Sequence, residues 1–282
     1  MSHERQSSQR FRTQTTTAEE AALYDAQVVP RYSSLFGRLL LARVPKRERM
    51  QVLDVGCGTG HPTLELLERL GEGSRVIAID PDSALLDVAR NRALDESGRR
   101  IFFKCATAEE LAFGDEVFDL VVSNIAFGTF SQPELAVAEM HRVLVAGGQL
   151  LTTHALAGTF EEIFDVFREI ALKRDDADLS RRIDRIQSRY SSPERLQTQF
   201  TNAGFAEASV KSEEFQLSFG RAREILTDPA MGFVALPEWR WMAGFDDDGD
   251  EILNEVPRTL DTYFGGGPLT LRVRAGVVIA RA

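Results

Sequence analysis

The feature that most restricts what this chain can fold into is the run MQVLDVGCGTG and the alternation that follows it. A short apolar segment ends in Asp54, and Gly56, Gly58 and Gly60 then occupy every second position before the helix-period segment HPTLELLERL. Glycines lacking Cβ let backbone approach a ligand closely, so a strand, such a turn and a helix in sequence predict a turn that holds an adenosine-bearing molecule. Further along, SRVIAID, RIFFKCA, FDLVVSN and QLLTTHAL read as strands, the last introduced by AGG at 146–148, and SALLDVARNRALDES and QPELAVAEMHRVL as helices. Apolar strands alternating with amphipathic helices imply βαβ units and a parallel sheet buried on both faces. The fold class is therefore α/β.

Around this centre the pattern changes. Residues 1–17 are rich in Ser, Thr, Gln and Arg and read as a mobile N-terminal arm. Residues 18–48 carry helical periodicity interrupted by Pro30, which predicts two helices meeting near Val29. The core spans 49–155. A helical cap follows at 156–190, the core resumes at 191–220 with a helix capped by Ser192 and Pro193 and a strand, a second helical insertion occupies 221–265, and LTLRVRAGVVIARA within 266–282 is a final strand. With 33 basic against 43 acidic residues the net charge is −10, which repels nucleic acid and anionic membrane and favours a small-molecule partner. No apolar run is long enough to span a bilayer, and the amino terminus is too polar for a secretory signal, so a cytoplasmic location is expected. The sequence leaves the oligomeric state open. Cys57 and Cys105 suit neither a disulfide framework nor a zinc site and read as packed thiols. The acidic stretch GFDDDGDEILNE departs from a calcium loop at its first position, Gly244, and at Glu251, so no metal is expected there.

Two phosphate-binding patterns fail at the glycine turn. A dinucleotide fingerprint needs its third glycine at position 61, which is His61, and no Gly-Lys-Ser/Thr follows for a nucleoside-triphosphate loop. Taken as an ordered set, LDVGCGTG, VIAIDPD, CATAEELAF, FDLVVSNIAF and HRVLVAGGQLL resemble the class I S-adenosylmethionine-dependent methyltransferases, the ubiquinone/menaquinone-biosynthesis type in particular, over roughly residues 49–155. The resemblance implies a Rossmann-like, seven-stranded, mostly parallel sheet in the order 3-2-1-4-5-7-6 with the last strand antiparallel. It also implies S-adenosylmethionine as cofactor. By the same resemblance Asp54 and the turn Gly56, Cys57, Gly58 and Gly60 face the cofactor's amino-acid end, with Asp54 opposite its ammonium and backbone N–H groups near its carboxylate. Asp80 accepts from the ribose hydroxyls, Pro81 touches the adenine, and Ser123 and Asn124 line the sulfonium end. Tyr24 or Tyr32 resembles the aromatic residue that closes over the methionine part. Where the family usually carries Gly-Asp-Ala-Glu, this chain has Ala106, Thr107, Ala108 and Glu109; Thr107 then accepts from the adenine more weakly than a carboxylate, and the Ala108 N–H caps the ring.

Methyl transfer is a displacement at an already activated carbon, so alignment and, for some acceptors, removal of a proton are all the protein supplies. The segment Ser123-Asn124-Ile125-Ala126-Phe127 lacks the Asn/Asp-Pro-Pro-Tyr/Phe signature of enzymes that methylate planar nitrogens. Among the histidines, His154 falls at the carboxyl end of the fifth strand, where the crevice of an open sheet lies. It reads either as an ordinary polar residue or as a base that positions substrate. Trp239, Trp241 and Phe245 read as the cap's own core or as a wall for a ring-bearing acceptor. The expected activity is methylation of a small, partly hydrophobic acceptor at oxygen or carbon. The alternatives are an RNA or protein methyltransferase, a cofactor-binding protein of this fold without transferase activity and, more distantly, a nicotinamide oxidoreductase.

Overall fold

The computed structural model describes residues 16–282. The arm expected over residues 1–17 lies mostly outside them, except that Thr17 caps the first helix. Its hydroxyl accepts from Glu20 N at 3.1 Å while the Glu20 carboxylate accepts from Thr17 N at 2.8 Å, a reciprocal capping box. Helix α1 (Ala18–Leu23) leads without a break into a π-wound segment, Tyr24–Ser33, and on into α2 (Ser34–Leu41). The break expected at Pro30 is absent. Proline removes one N–H and crowds the carbonyl four residues back. The wider winding shifts partners by a residue, so that Ser34 N reaches Val29 O, and the Ser34 hydroxyl caps Pro30 O at 3.0 Å.

Seven strands follow: β1 (Gln51–Val55), β2 (Arg75–Asp80), β3 (Ile101–Cys105), β4 (Phe118–Asn124), β5 (Leu144–Ala155), β6 (Glu207–Phe219) and β7 (Leu269–Arg281). They form one sheet in the order β3-β2-β1-β4-β5-β7-β6. The first five are parallel, with register pairs Val52↔Val76, Val52↔Leu120, Asp80↔Cys105 and Asn124↔Thr153. Ala282 N donates to Gly148 O and Leu156 N to Arg274 O. Residue numbers rise along β5 as they fall along β7, so that pair is antiparallel. Parallel strands need crossovers, supplied by α3 (Thr63–Arg69), α4 (Ser83–Ala93) and α5 (Pro133–Arg142). Strand order reverses between β1 and β4, which places the ligand crevice of such a sheet at their carboxyl ends.

The chain divides into two compact units. Of the described residues, the first comprises 16–154, 193–211 and 276–282, and includes α8 (Pro193–Asn202). A core cluster in this unit joins Val52, Leu66, Val76, Leu86, Leu120 and Leu151, which are solvent-inaccessible, and each such leucine contributes about 1.5–3 kcal/mol. The second unit comprises residues 155–192 and 212–275. It contains α6 (Glu161–Arg174), α7 (Ala177–Gln187), α9 (Pro229–Val234), α10 (Leu236–Ala243) and α11 (Asp247–Phe264). Here Arg182 Nε donates to Met242 O at 2.6 Å, and Arg174 pairs with Asp248 at 2.6 Å, fastening α7 to α10 and α6 to α11. Trp239 is buried edge-on against Phe160 and belongs to this unit's core, whereas Trp241 lies half-buried beneath the Arg185 guanidinium and Phe245 is exposed. The stretch once compared with a calcium loop is the start of α11, with Asp246 capping Gly249 N at 2.9 Å. No helix among the described residues is long and apolar enough to cross a membrane.

Candidate functional site

All the residues that form the candidate site lie in the first unit. The turn after β1 needs its glycines: Gly56, Gly58 and Gly60 have φ of 74°, 53° and 88°, left-handed values that a side chain resists. They differ in surroundings. A Cβ on Gly56 would lie 2.4 Å from Ala126 Cβ, and one on Gly60 3.2 Å from Ala89 Cβ, so these two serve close packing. A Cβ on Gly58 would meet nothing within 4 Å, so this glycine opens onto space.

Four of the turn's N–H donors are engaged within the protein. Gly56 N and Cys57 N both donate to Ile79 O, at 2.8 and 3.0 Å, Gly60 N donates to Cys57 O at 3.0 Å, and Gly58 N donates to Asp80 Oδ2 at 2.9 Å. These four N–H groups are thus held within the protein, and the turn supplies room and rigidity. Asp80 also accepts from Asp82 N through Oδ1 at 2.9 Å, so both of its oxygens are oriented. Each retains lone-pair capacity for hydroxyl donors. Cys57 is buried, and burial pushes its thiol well above the ordinary range, which removes it as a nucleophile. Cys105, expected to be packed, is exposed at the end of edge strand β3.

Asp54, next to last in β1, is almost completely buried. Its Oδ2 accepts from Thr63 Oγ1 at 2.6 Å, and its Oδ1 has no hydrogen-bond partner among the described residues. Burial pushes this carboxyl up to about 7; the Thr63 hydrogen bond opposes the rise, as does His61, while Asp80 and Glu65 add to it. Thr59 Oγ1, His61 Nε2, Glu65 Oε2 and Ser123 Oγ are likewise buried without a partner. Such a concentration of unsatisfied polar atoms on β1, the turn, the start of α3 and β4 calls for a polar ligand or water. A carboxylate oxygen without a partner suits a cation, Asp80 suits a diol, and the Gly58 opening suits close approach, so the residues present fit S-adenosylmethionine.

The rest of the expected set lies around this centre. Tyr32 is buried against Phe36 at a ring distance of 5.0 Å, and Tyr24 OH lies 3.3 Å from Ser33 Oγ. The leading helices are tied to the turn: Arg92 bridges Asp25 at 2.7 Å and Thr59 O at 3.4 Å. Asn124, expected to line the sulfonium end, is engaged in fastening. It donates to Ser33 O at 3.2 Å and accepts from Thr153 Oγ1 at 2.7 Å, joining the leading helices to β4 and β5. Pro81 and Thr107 are exposed and Ala108 is buried. The loop after β3 that carries Thr107 and Ala108 is held by Arg142, which donates to Leu111 O and Phe113 O at 3.0 and 2.9 Å while paired with Glu139.

His154 is buried, with Nε2 2.8 Å from Thr152 Oγ1. Burial pulls its imidazole down to about 3, so it is neutral at physiological pH and too weak a base to take a proton from an acceptor. Its ring is packed among aromatic side chains, 4.5 Å from Phe127 and 6.1 Å from Phe200, and Phe127 in turn lies 5.0 Å from Phe130. Phe130 Cε1 is 3.9 Å from where a Gly56 Cβ would stand, so the aromatic group adjoins the glycine turn. Sequence reading missed Phe127, Phe130 and Phe200. The missed signal was Phe127 and Phe130 spaced by three directly after β4; Phe200 had none, being distant in sequence.

Strand order, turn and acidic tips define a class I fold built for S-adenosylmethionine. A methyltransferase-domain family matches residues 52–148. The chain is 34% identical over 180 residues to the ubiquinone/menaquinone biosynthesis C-methyltransferase UbiE of Methylobacterium nodulans, covering 60% of this chain and 71% of that protein. It is 30% identical over 217 residues to the malonyl-[acyl-carrier protein] O-methyltransferase of Halorhodospira halophila, covering 74% of this chain and 64% of that one. Thus it spans about two thirds of the length of these relatives. The structure of YcgJ from Bacillus subtilis shares the fold, with a TM-score of 0.59 at 20% identity, over 88% of this chain and 98% of that one. The chain belongs to the class I S-adenosylmethionine-dependent methyltransferases of UbiE-like type.

Proposed function

We propose that this chain methylates a small, partly hydrophobic acceptor at carbon or oxygen, without a general base from His154. The observation that carries the acceptor reading is the aromatic group Phe127, Phe130, His154 and Phe200 standing beside the glycine turn. A wall of rings holds an apolar or planar molecule against the reacting centre by burial and ring stacking. The relatives' names agree in naming carbon and oxygen acceptors.

S-adenosylmethionine, when bound, supplies a methyl carbon already activated by the sulfonium charge. Asp54 would then hold the cofactor's ammonium through Oδ1, and Asp80, fixed by Gly58 N and Asp82 N, would take the ribose hydroxyls. Gly58 would leave room for the amino-acid tail, with Gly56, Cys57 and Gly60 setting the turn's shape and Thr59 and Ser123 offering hydroxyls. Tyr32 would close from the leading helices, and Pro81, Thr107 and Ala108 would border the adenine. The protein's contribution to rate would be alignment of the acceptor on the aromatic wall.

The test is transfer of a labelled methyl group from S-adenosylmethionine to a panel of phenols, quinols and aliphatic carboxylates, read by scintillation and mass spectrometry. Methylation of ring acceptors, weakened at least tenfold in kcat/KM by Phe127→Ala, is expected. Binding of S-adenosylhomocysteine with no transfer to any acceptor, or transfer to RNA or protein instead, would overturn the reading.

A further inference from the structure

We propose that Thr63 is a positioning residue for cofactor capture: by clamping one oxygen of Asp54 it presents the other to the cofactor's ammonium and couples capture to release of a proton. This rests on the assignment of Asp54 under the proposed function. Thr63 is the first residue of α3 and has no solvent exposure. Its hydroxyl donates to Asp54 Oδ2 at 2.6 Å, and with that oxygen fixed, Oδ1 alone is left without a partner. A hydroxyl that donates to a carboxylate stabilises the ionised form.

The charged groups facing Asp54 come from three places. Asp80 on β2 and Glu65 on α3 oppose its ionisation, and His61 in the turn favours it. Glu65 and His61 are themselves paired at 2.9 Å, which limits the effect of either. Burial is the largest effect on the carboxyl and raises it to about 7, so that it titrates near neutrality in the cofactor-free protein. About half of the molecules then hold a proton there at pH 7. An ammonium ligand selects the carboxylate. The O–H bond of the protonated molecules breaks, the proton passes to bulk solvent, and the charge left on oxygen is matched by the ligand. Nothing is oxidised or reduced.

The experiment is calorimetric titration of the full chain with S-adenosylhomocysteine from pH 5.5 to 8.5, in buffers of differing ionisation enthalpy. The comparison ligand is 5′-methylthioadenosine, which carries the nucleoside without the amino-acid tail. In the wild type, affinity for S-adenosylhomocysteine is expected to fall about tenfold per pH unit below neutrality, with release of about half a proton per binding event at pH 7, while 5′-methylthioadenosine binds independently of pH. Thr63→Val shifts the break upward, lowering affinity at pH 7 about fivefold or more and recovering by pH 8.5. Thr63→Ser keeps the wild-type profile. An equal loss at every pH in Thr63→Val, or a wild-type profile without a break or proton release, would overturn the proposal while leaving the cofactor site intact. If Thr63→Val does not fold, Thr63→Ala, which also lacks the hydroxyl, is titrated in its place and the same outcomes decide. Failure of both ligands to bind the wild type would overturn the reading of the site itself, and this proposal with it.

Discussion

Replacing Asp54 by Asn should make the cofactor-free protein more stable and unable to capture its cofactor. The magnitude follows from the site. The ordinary carboxyl value is 3.8 and burial raises it to about 7. An acid held above its ordinary value binds more protons in the native than in the unfolded chain, so stability falls as pH rises from 3.8 to about 7 and the loss is complete above that. Linkage over that interval gives about 4 kcal/mol at alkaline pH. A buried amide carries its own desolvation cost, about 1–3 kcal/mol, so the net gain expected at pH 8.5 is ~2 kcal/mol. For a chain of this size that corresponds to a melting temperature higher by roughly 4–8 °C. At pH 4, where the carboxyl is protonated in the native chain and the linkage term is nearly absent, the amide's cost stands alone and the variant should melt below the wild type, so that the two curves cross between pH 4 and 8.5. The assay is thermal denaturation of both across pH 4–8.5, without cofactor. Titrating groups not coupled to Asp54 are common to the two proteins and cancel in the difference. Curves that run parallel across the whole range would refute the argument that the Asp54 carboxyl is ionised against its surroundings.

Three further outcomes are expected. Gly58→Ala, which places its Cβ in open space, should cost about 1 kcal/mol from its φ alone but weaken S-adenosylhomocysteine binding at least tenfold; Gly56→Ala, whose Cβ meets Ala126 at 2.4 Å, should instead destabilise the fold by about 2–3 kcal/mol. Chemical denaturation and calorimetry separate the two effects. His154, neutral in the native state and held at about 3, contributes stability that is complete above pH 6.5 and drains away toward pH 3, so urea unfolding of His154→Gln should show a shallower acid limb than the wild type. Ile125, a β-branched residue at φ 48° between Asn124 and Ala126, carries backbone strain of about 1–3 kcal/mol. Ile125→Gly should therefore raise the melting temperature while lowering turnover, as the Thr153 hydroxyl that accepts from its N–H at 2.9 Å loses a fixed partner.

What the sequence determined is whatever a short window encodes. The alternation of β-branched runs with amphipathic helices specified the parallel core, and the ordered segments from LDVGCGTG to HRVLVAGGQLL specified the family and its strand order. Glycine spacing marked the turn because only glycine tolerates the backbone there. Window-level rules misjudged Pro30, since the chain passes the proline in a wider winding, with Ser34 N reaching Val29 O, that local periodicity does not reveal. The tertiary structure alone decided which groups meet. Asp80 reaches the Gly58 N–H across 22 residues, Asn124 reaches Ser33 across 91, and Phe200 joins Phe127 and His154 from a separate helix. Such pairings depend on how strands and helices are juxtaposed, and the same juxtaposition sets burial. Burial in turn decided that His154 is a weak base, that Asp54 titrates near neutrality and that Cys105 lies open while Cys57 does not. Residue identity supplies the chemical groups; desolvation and partner geometry, which have no local sequence signature, set what those groups can do.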